Sequence, residues 1–244
     1  MWCPGPWSEG SILKTCGWPW VTAPAQRVIH DPSPSAFRER WSVLRWIGRL
    51  LLRTVTDHPT KPHHLPESIL ILDHGSQYTQ LIARRVRELN VYCEIHPFSK
   101  AQDLVGDPDV KGVILSGSPS SVHEAGAPDT DLHGFIGRLP VLAICYGAQL
   151  LAKRAGAPVE RSKVREYGRA RLTTISDDHL FDGIGAGSQV WMSHADTITA
   201  PSEAMEVIAS TEDVAVAAYR LRDAMTYAVQ FHPEVYHSTD GLQL

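Results

Sequence analysis

Apolar positions change their period along this chain. From Phe37 to Val55, Trp41, Leu44, Ile47, Leu51 and Val55 recur every three or four residues, with Arg38, Arg45, Arg49 and Arg53 between them. That spacing predicts a basic amphipathic helix suited to a membrane surface or a partner. From Ser68 the pattern turns into short apolar runs. Ile69-Leu70-Ile71-Leu72-Asp73 reads as a buried strand ending in an acid. His74-Gly75-Ser76-Gln77-Tyr78 turns into a helix with Leu81, Ile82, Val86 and Leu89 on its apolar face, and Asn90 ends it. Val91–Ile95 is the next strand, which completes a βαβ unit and implies a parallel sheet. Gly112–Leu115 and Val141–Ile144 are the third and fourth strands, the latter followed at once by a helix beginning near Ala148.

The second half consists of shorter runs between turns: Arg171–Ile175, Gln189–Met192, Glu206–Ala209, Ala215–Tyr219 and Met225–Phe231. These predict antiparallel strands that flank or extend the sheet. The expected class is therefore α/β, with a mostly parallel central sheet flanked by helices and carrying antiparallel additions.

Composition divides the chain in the same place. Residues 1–66 hold six of the seven tryptophans and eight Lys/Arg against four acids, which leaves the remainder at −8 in a chain whose total is −4. Residues 1–36 are rich in Pro, Gly, Trp and Ser without period, and 56–66 carry three prolines among His58, His63 and His64. Residues 1–66 are expected to be a poorly ordered N-terminal extension and linker, and residues 67–244 the folded domain. The N-terminus lacks a charged stretch followed by an apolar core, so a signal peptide is not expected there. The mild overall charge gives no case for nucleic acid as the main partner. No run of 18 or more apolar residues is present, so no membrane span is expected. The four cysteines, Cys3, Cys16, Cys93 and Cys145, form no CxxC pair and suggest neither a zinc site nor a disulfide framework.

One cysteine stands where chemistry is favoured. Cys145 follows the strand Val141–Ile144 and precedes a helix, which places its sulfur at the carboxyl edge of the sheet and at a helix N-terminus that favours the thiolate. The plain alternative is a small buried hydrophobe. Ser116-Gly117-Ser118-Pro119, at the end of another strand, is a tight turn with exposed backbone amides. Ligands of parallel sheets collect beyond these strand ends. His232-Pro233-Glu234 sets a histidine and an acid two apart in what should be extended chain, hence on one side, as a general base and its orienting carboxylate are placed. Nucleophile, oxyanion site and base thus come from strand ends of one sheet.

These residues bring a family into view. Ile71–Tyr78, Leu115–Pro119, Cys145-Tyr146-Gly147-Ala148-Gln149, Trp191-Met192-Ser193-His194-Ala195-Asp196 and Gln230–Glu234 resemble the motifs of class I glutamine amidotransferases, in the family's order and over about residues 68–244. Residues 75–89 and Trp191-Met192-Ser193-His194 resemble the branch formed by the glutaminase domains of GMP synthases. The resemblance implies a flavodoxin-like fold, a cytoplasmic enzyme and a Cys145, His232, Glu234 triad that releases ammonia from glutamine through a glutamyl thioester. It implies an oxyanion hole from the backbone amides of Ser118 and Tyr146, and glutamine contacts from Gly117, Gln149, Ser193 and Asp196. It implies no metal and no cofactor in this chain. ATP and magnesium would serve an ATP-pyrophosphatase module, in cis or in trans, that aminates XMP to GMP.

The sequence departs from the family's pattern in places. Ser118 stands where glycine is usual and would cost about 1 kcal/mol if the position needs a positive φ. Ala143 and Ala195 also replace glycine, the latter at a place where it could crowd the glutamine loop. With the sequence read to Leu244, a phosphate-binding loop is not expected in this chain, and the closing helix of the glutaminase fold is expected to be cut short. The same residues would also suit a glutaminase subunit of another amidotransferase, a related cysteine amidase, or a catalytically silent regulatory homologue.

Overall fold

The structure, a computed structural model, describes residues 67–222 and 224–244, without the side chains of 163–166. The expectations for residues 1–66 lie outside the described residues.

Strand β1 (Ser68–Asp73) shows why an unbroken apolar run was needed. Ile69 and Ile71 pack on one face with Ile82, Ala83 and Val86, while Leu70 and Leu72 pack on the other with Leu115, Leu150 and Leu151. A parallel strand covered on both faces can spare no polar position. Helix α1 (Thr79–Glu88) covers the first face, and helix α2 (Tyr146–Arg154) belongs to the core on the second. Around β1 lie β2 (Cys93–Pro97), β3 (Val110–Leu115), β4 (Val141–Ile144) and β9 (Thr226–Val229), joined in parallel in the order β2-β1-β3-β4-β9.

From β9 the sheet continues antiparallel through β8 (Ala218–Leu221), β7 (Met205–Thr211), β5 (Val159–Ile175) and β6 (Gln189–Ile198). Among the described residues this is one nine-stranded mixed sheet, a parallel core with an antiparallel wing. It agrees with the α/β class read from the sequence.

Several boundaries differ from expectation. The second strand begins at Cys93 rather than Val91, because Asn90 takes a left-handed φ of 60° and Val91 donates its amide back to the Val86 carbonyl. That amide closes helix α1 and is lost to the strand. Helix α2 begins at Tyr146, not near Ala148, because Cys145 makes the whole turn alone with φ 52° and ψ −106°. Strands β5, β6 and β7 run longer than the predicted runs, whereas β8 begins at Ala218 rather than Ala215 and β9 covers Thr226–Val229 rather than Met225–Phe231. No helix among the described residues is long and apolar enough to cross a membrane.

Candidate active site

Cys145 is where the sheet delivers the nucleophile candidate. Its amide donates to the Val229 carbonyl at 2.8 Å, so β4 and β9 stay paired up to the bend. Its positive φ is strained for a non-glycine residue, a cost of about 1–3 kcal/mol that surrounding structure must hold in place. Gly147 permits the close helix: a Cβ there would meet the Leu115 Cβ at 2.7 Å and the Leu115 carbonyl oxygen at 3.0 Å. The thiol donates to the Ser193 carbonyl at 3.6 Å.

His232 arrives from the end of β9, its amide bound to the Trp191 carbonyl of β6 at 2.9 Å and its carbonyl accepting from the Ser238 hydroxyl at 2.6 Å. Pro233 and Glu234 form a turn rather than the expected extended chain, yet the side chains still meet: His232 Nδ1 lies 2.7 Å from Glu234 Oε1, both 3% exposed. A carboxylate only accepts, so Nδ1 carries the proton and Nε2 is left for Cys145. Burial opposes a charged imidazole here. The Cys145 sulfur, by charge and hydrogen bond, and then the Glu234 carboxylate outweigh it and hold the His232 pKa well above its usual value.

The turn after β3 completes the centre. The Ser116 hydroxyl accepts from the His74 amide and donates to the Gly117 carbonyl, both at 2.9 Å. Gly117 is in close approach: a Cβ there would lie 3.3 Å from His232 Cε1 and 3.6 Å from Cys145 Cβ. Ser118 does not take a positive φ, so the cost foreseen for it does not arise. Tyr146 opens helix α2, where amides lack intrahelical partners, and its hydroxyl is held by the Pro128 carbonyl at 2.5 Å.

A cavity of about 400 Å³ opens on these groups, within the range of small-molecule sites. Ser118, Cys145, Gln149, Ser193, Asp196 and His232 line it. Gln149 donates its amide to the Asp196 carbonyl at 2.6 Å. Asp196 is 2% exposed; one carboxylate oxygen accepts from the Val122 amide at 3.1 Å, while the other makes no hydrogen bond among the described residues. A buried carboxylate oxygen beside a cavity suits a ligand's ammonium group. Ala195 stands in the cavity wall as an additional methyl, and Ala143 is fully buried in β4.

The structure therefore brings every site residue expected from the sequence to one place. Sequence reasoning gave no role to Tyr78, whose ring meets His232, to Tyr167 at the cavity wall, or to Arg85, whose Nε donates to the Glu234 carbonyl at 3.0 Å. It also gave none to His194, a cavity residue whose burial lowers its pKa to about 4. No group of three or more His, Cys, Asp or Glu among the described residues is arranged to hold a metal ion.

Comparison with known proteins points the same way. The glutamine amidotransferase class-I family matches residues 70–244. A glutamine-hydrolysing GMP synthase of Cytophaga hutchinsonii is 58% identical over 181 residues, and one of Bacteroides fragilis 55% over the same length. In both cases the match covers 74% of this chain but 35% of the relative, so the chain spans about a third of the length of these curated proteins. Among solved structures, a Thermoplasma acidophilum protein provisionally assigned to GMP synthase superposes with a TM-score of 0.61 at 31% identity, covering 74% of this chain and 91% of that one. A glutamine amidotransferase from Thermotoga maritima, at TM-score 0.57 and 21% identity over 70% of this chain and 78% of its own, shares the fold. The chain belongs to the class I glutamine amidotransferase family.

Proposed function

We propose that this chain is the glutaminase part of a GMP synthase, releasing ammonia from glutamine for amination of XMP by a separate ATP-pyrophosphatase module. The observation that carries the reading is the meeting of Cys145 and His232 at one cavity with Glu234 bound to the imidazole, in a chain that over 181 residues is 58% identical to a glutamine-hydrolysing GMP synthase.

The geometry supports the following sequence of steps. Glutamine enters with its ammonium group on the free oxygen of Asp196 and its side-chain amide toward Cys145. His232 takes the thiol proton, and the sulfur attacks the amide carbon. The amides of Ser118 and Tyr146 receive the developing oxyanion; loss of one such donor costs about 10²- to 10³-fold in kcat. The protonated His232 then gives its proton to the amide nitrogen, the carbon–nitrogen bond breaks, and ammonia leaves a glutamyl thioester. Water attacks next, with His232 as base, and the thioester opens to glutamate and the restored thiol. Glu234 keeps the Nδ1 proton in place throughout and balances the imidazolium.

These steps use groups of this chain alone. ATP and magnesium would serve in the aminating module, joined in cis or supplied in trans. The free thiols Cys93 and Cys145 suit a reducing, cytoplasmic setting.

The test is ammonia release from glutamine by the full chain, alone and with acceptor modules added. Stimulation by an XMP-aminating module is the expected outcome. Stimulation by a different acceptor module alone would assign the chain to another amidotransferase.

A further inference from the structure

The geometry points to Tyr78 as a positioning residue for His232, holding the imidazole in the plane that joins Glu234 to Cys145. This rests on the reading of His232 as the general base.

Polar contacts at its edge do not set the tilt of an imidazole. The 2.7 Å contact from Nδ1 to Glu234 and the hydrogen bond with the Cys145 sulfur leave the ring able to rock about the line that joins them. Gly117 closes the Cε1 side, where a Cβ would press on the ring at 3.3 Å. Tyr78 supplies another wall: its ring centre lies 5.0 Å from that of His232 at 71°, an edge-to-face contact. With these contacts in place, Nε2 is directed toward Cys145.

Tyr78 is itself held from both sides. Its amide donates to the Ser76 hydroxyl at 3.0 Å, and its carbonyl accepts from Leu81 and Ile82 at 2.9 and 3.1 Å in the first turn of α1. That helix is seated on the sheet through Ile82, Ala83 and Val86. Two turns further on, Arg85 of the same helix donates to the carbonyl of Glu234 at 3.0 Å. The N-cap Tyr78 and helix α1 behind it thus meet the His-Pro-Glu turn at two points, Tyr78 at the imidazole and Arg85 at the backbone of its carboxylate partner. A site borne by a seated helix is more rigid than one borne by a loop. The Gly75–Tyr78 stretch, which the reaction steps leave without a part, gains one here.

The titratable groups facing His232 are Cys145, Glu234 and His194, with the Tyr78 ring beside them. The experiment uses the full chain with Tyr78→Phe, Tyr78→Leu and Tyr78→Ala. It reads glutaminase kinetics and the rate of Cys145 alkylation by iodoacetamide between pH 5 and 9, with thermal melts to establish folding. Tyr78→Leu keeps bulk in case Tyr78→Ala unfolds. Loss of the ring is expected to lower kcat by about 10- to 100-fold with KM changed less than about 3-fold. Alkylation at pH 6 is expected to slow about 10-fold, and Tyr78→Phe to restore both. Folded Tyr78→Leu with unchanged kcat and an unchanged alkylation profile would overturn the proposal, as would a Tyr78→Phe variant as impaired as Tyr78→Leu. Should wild-type Cys145 react at pH 6 no faster than a free thiol, the reading of His232 as its base fails first, and the two failures are distinct.

Discussion

Individual residues at this site are bound by opposed demands. Cys145 must be strained to stand clear of the sheet, and His232 must be buried yet able to hold a proton. Replacing Cys145 by Ala is expected to remove glutaminase activity by about 10⁴-fold or more, read as ammonia release. Two other histidines answer burial the opposite way. His74 donates from Nδ1 to the Leu72 carbonyl and accepts at Nε2 from Thr130, and its pKa, like that of His194, is lowered by burial to about 4. Above pH 6.5 both are neutral, folded or unfolded. As pH falls toward 4 the unfolded chain takes up protons that the folded one refuses, so stability falls with pH by roughly 3 kcal/mol for each. The raised pKa of His232 acts in the other sense: its contribution is fully present below pH 6.5 and is lost as pH rises through the folded value. Urea midpoints measured from pH 7 to pH 4.5 should therefore fall more steeply for the wild type than for His74→Asn. Equal slopes would contradict the account of His74.

At the scale of elements, strand ends do the assembling. β4 presents Cys145, the turn after β3 presents Gly117 and Ser118, and the chain beyond β9 presents His232. Gly147→Ala is expected to push helix α2 off β3, destabilising the fold by about 1–3 kcal/mol and lowering kcat as the Tyr146 amide moves. An unchanged melting temperature would show that Leu115 yields freely. Much of this was legible in the sequence, because the signals are local. A four-residue apolar strand broken at a cysteine and a Ser-Gly-Ser-Pro turn each declare their geometry within a few residues, and a His-Pro-Glu sequence declares its paired side chains though not its backbone. Where Cys145 bends the chain in one step, pattern reading placed the helix start about two residues late. It also took His232 and Glu234 as extended chain, because the hydrogen bonds that fold the turn come from Ser238 and Arg85. Tyr78, Arg85 and Tyr167 were not legible as site residues, since each reaches the site through packing between distant segments. A tyrosine before a helix and an arginine on its wet face look ordinary until the partner strand is in place.

At the scale of the molecule, the described residues combine a parallel core that presents Cys145 with an antiparallel wing that walls the cavity through Ser193, His194, Ala195 and Asp196. That division explains why the second half of the chain changes period while still supplying site residues. The chain spans about a third of the length of the curated relatives it matches, and the reaction proposed for it is the opening of glutamine on Cys145. The most direct measurement is mass spectrometry of the Cys145 peptide after acid quench of the full chain with glutamine, with and without an XMP-aminating module. The expected result is a glutamyl thioester on Cys145 in the wild type, strongly reduced in His232→Asn, which lacks the base that activates the thiol, and absent in Cys145→Ala. Ammonia release at the wild-type rate by Cys145→Ala, or turnover with no adduct on Cys145 under either condition, would contradict it.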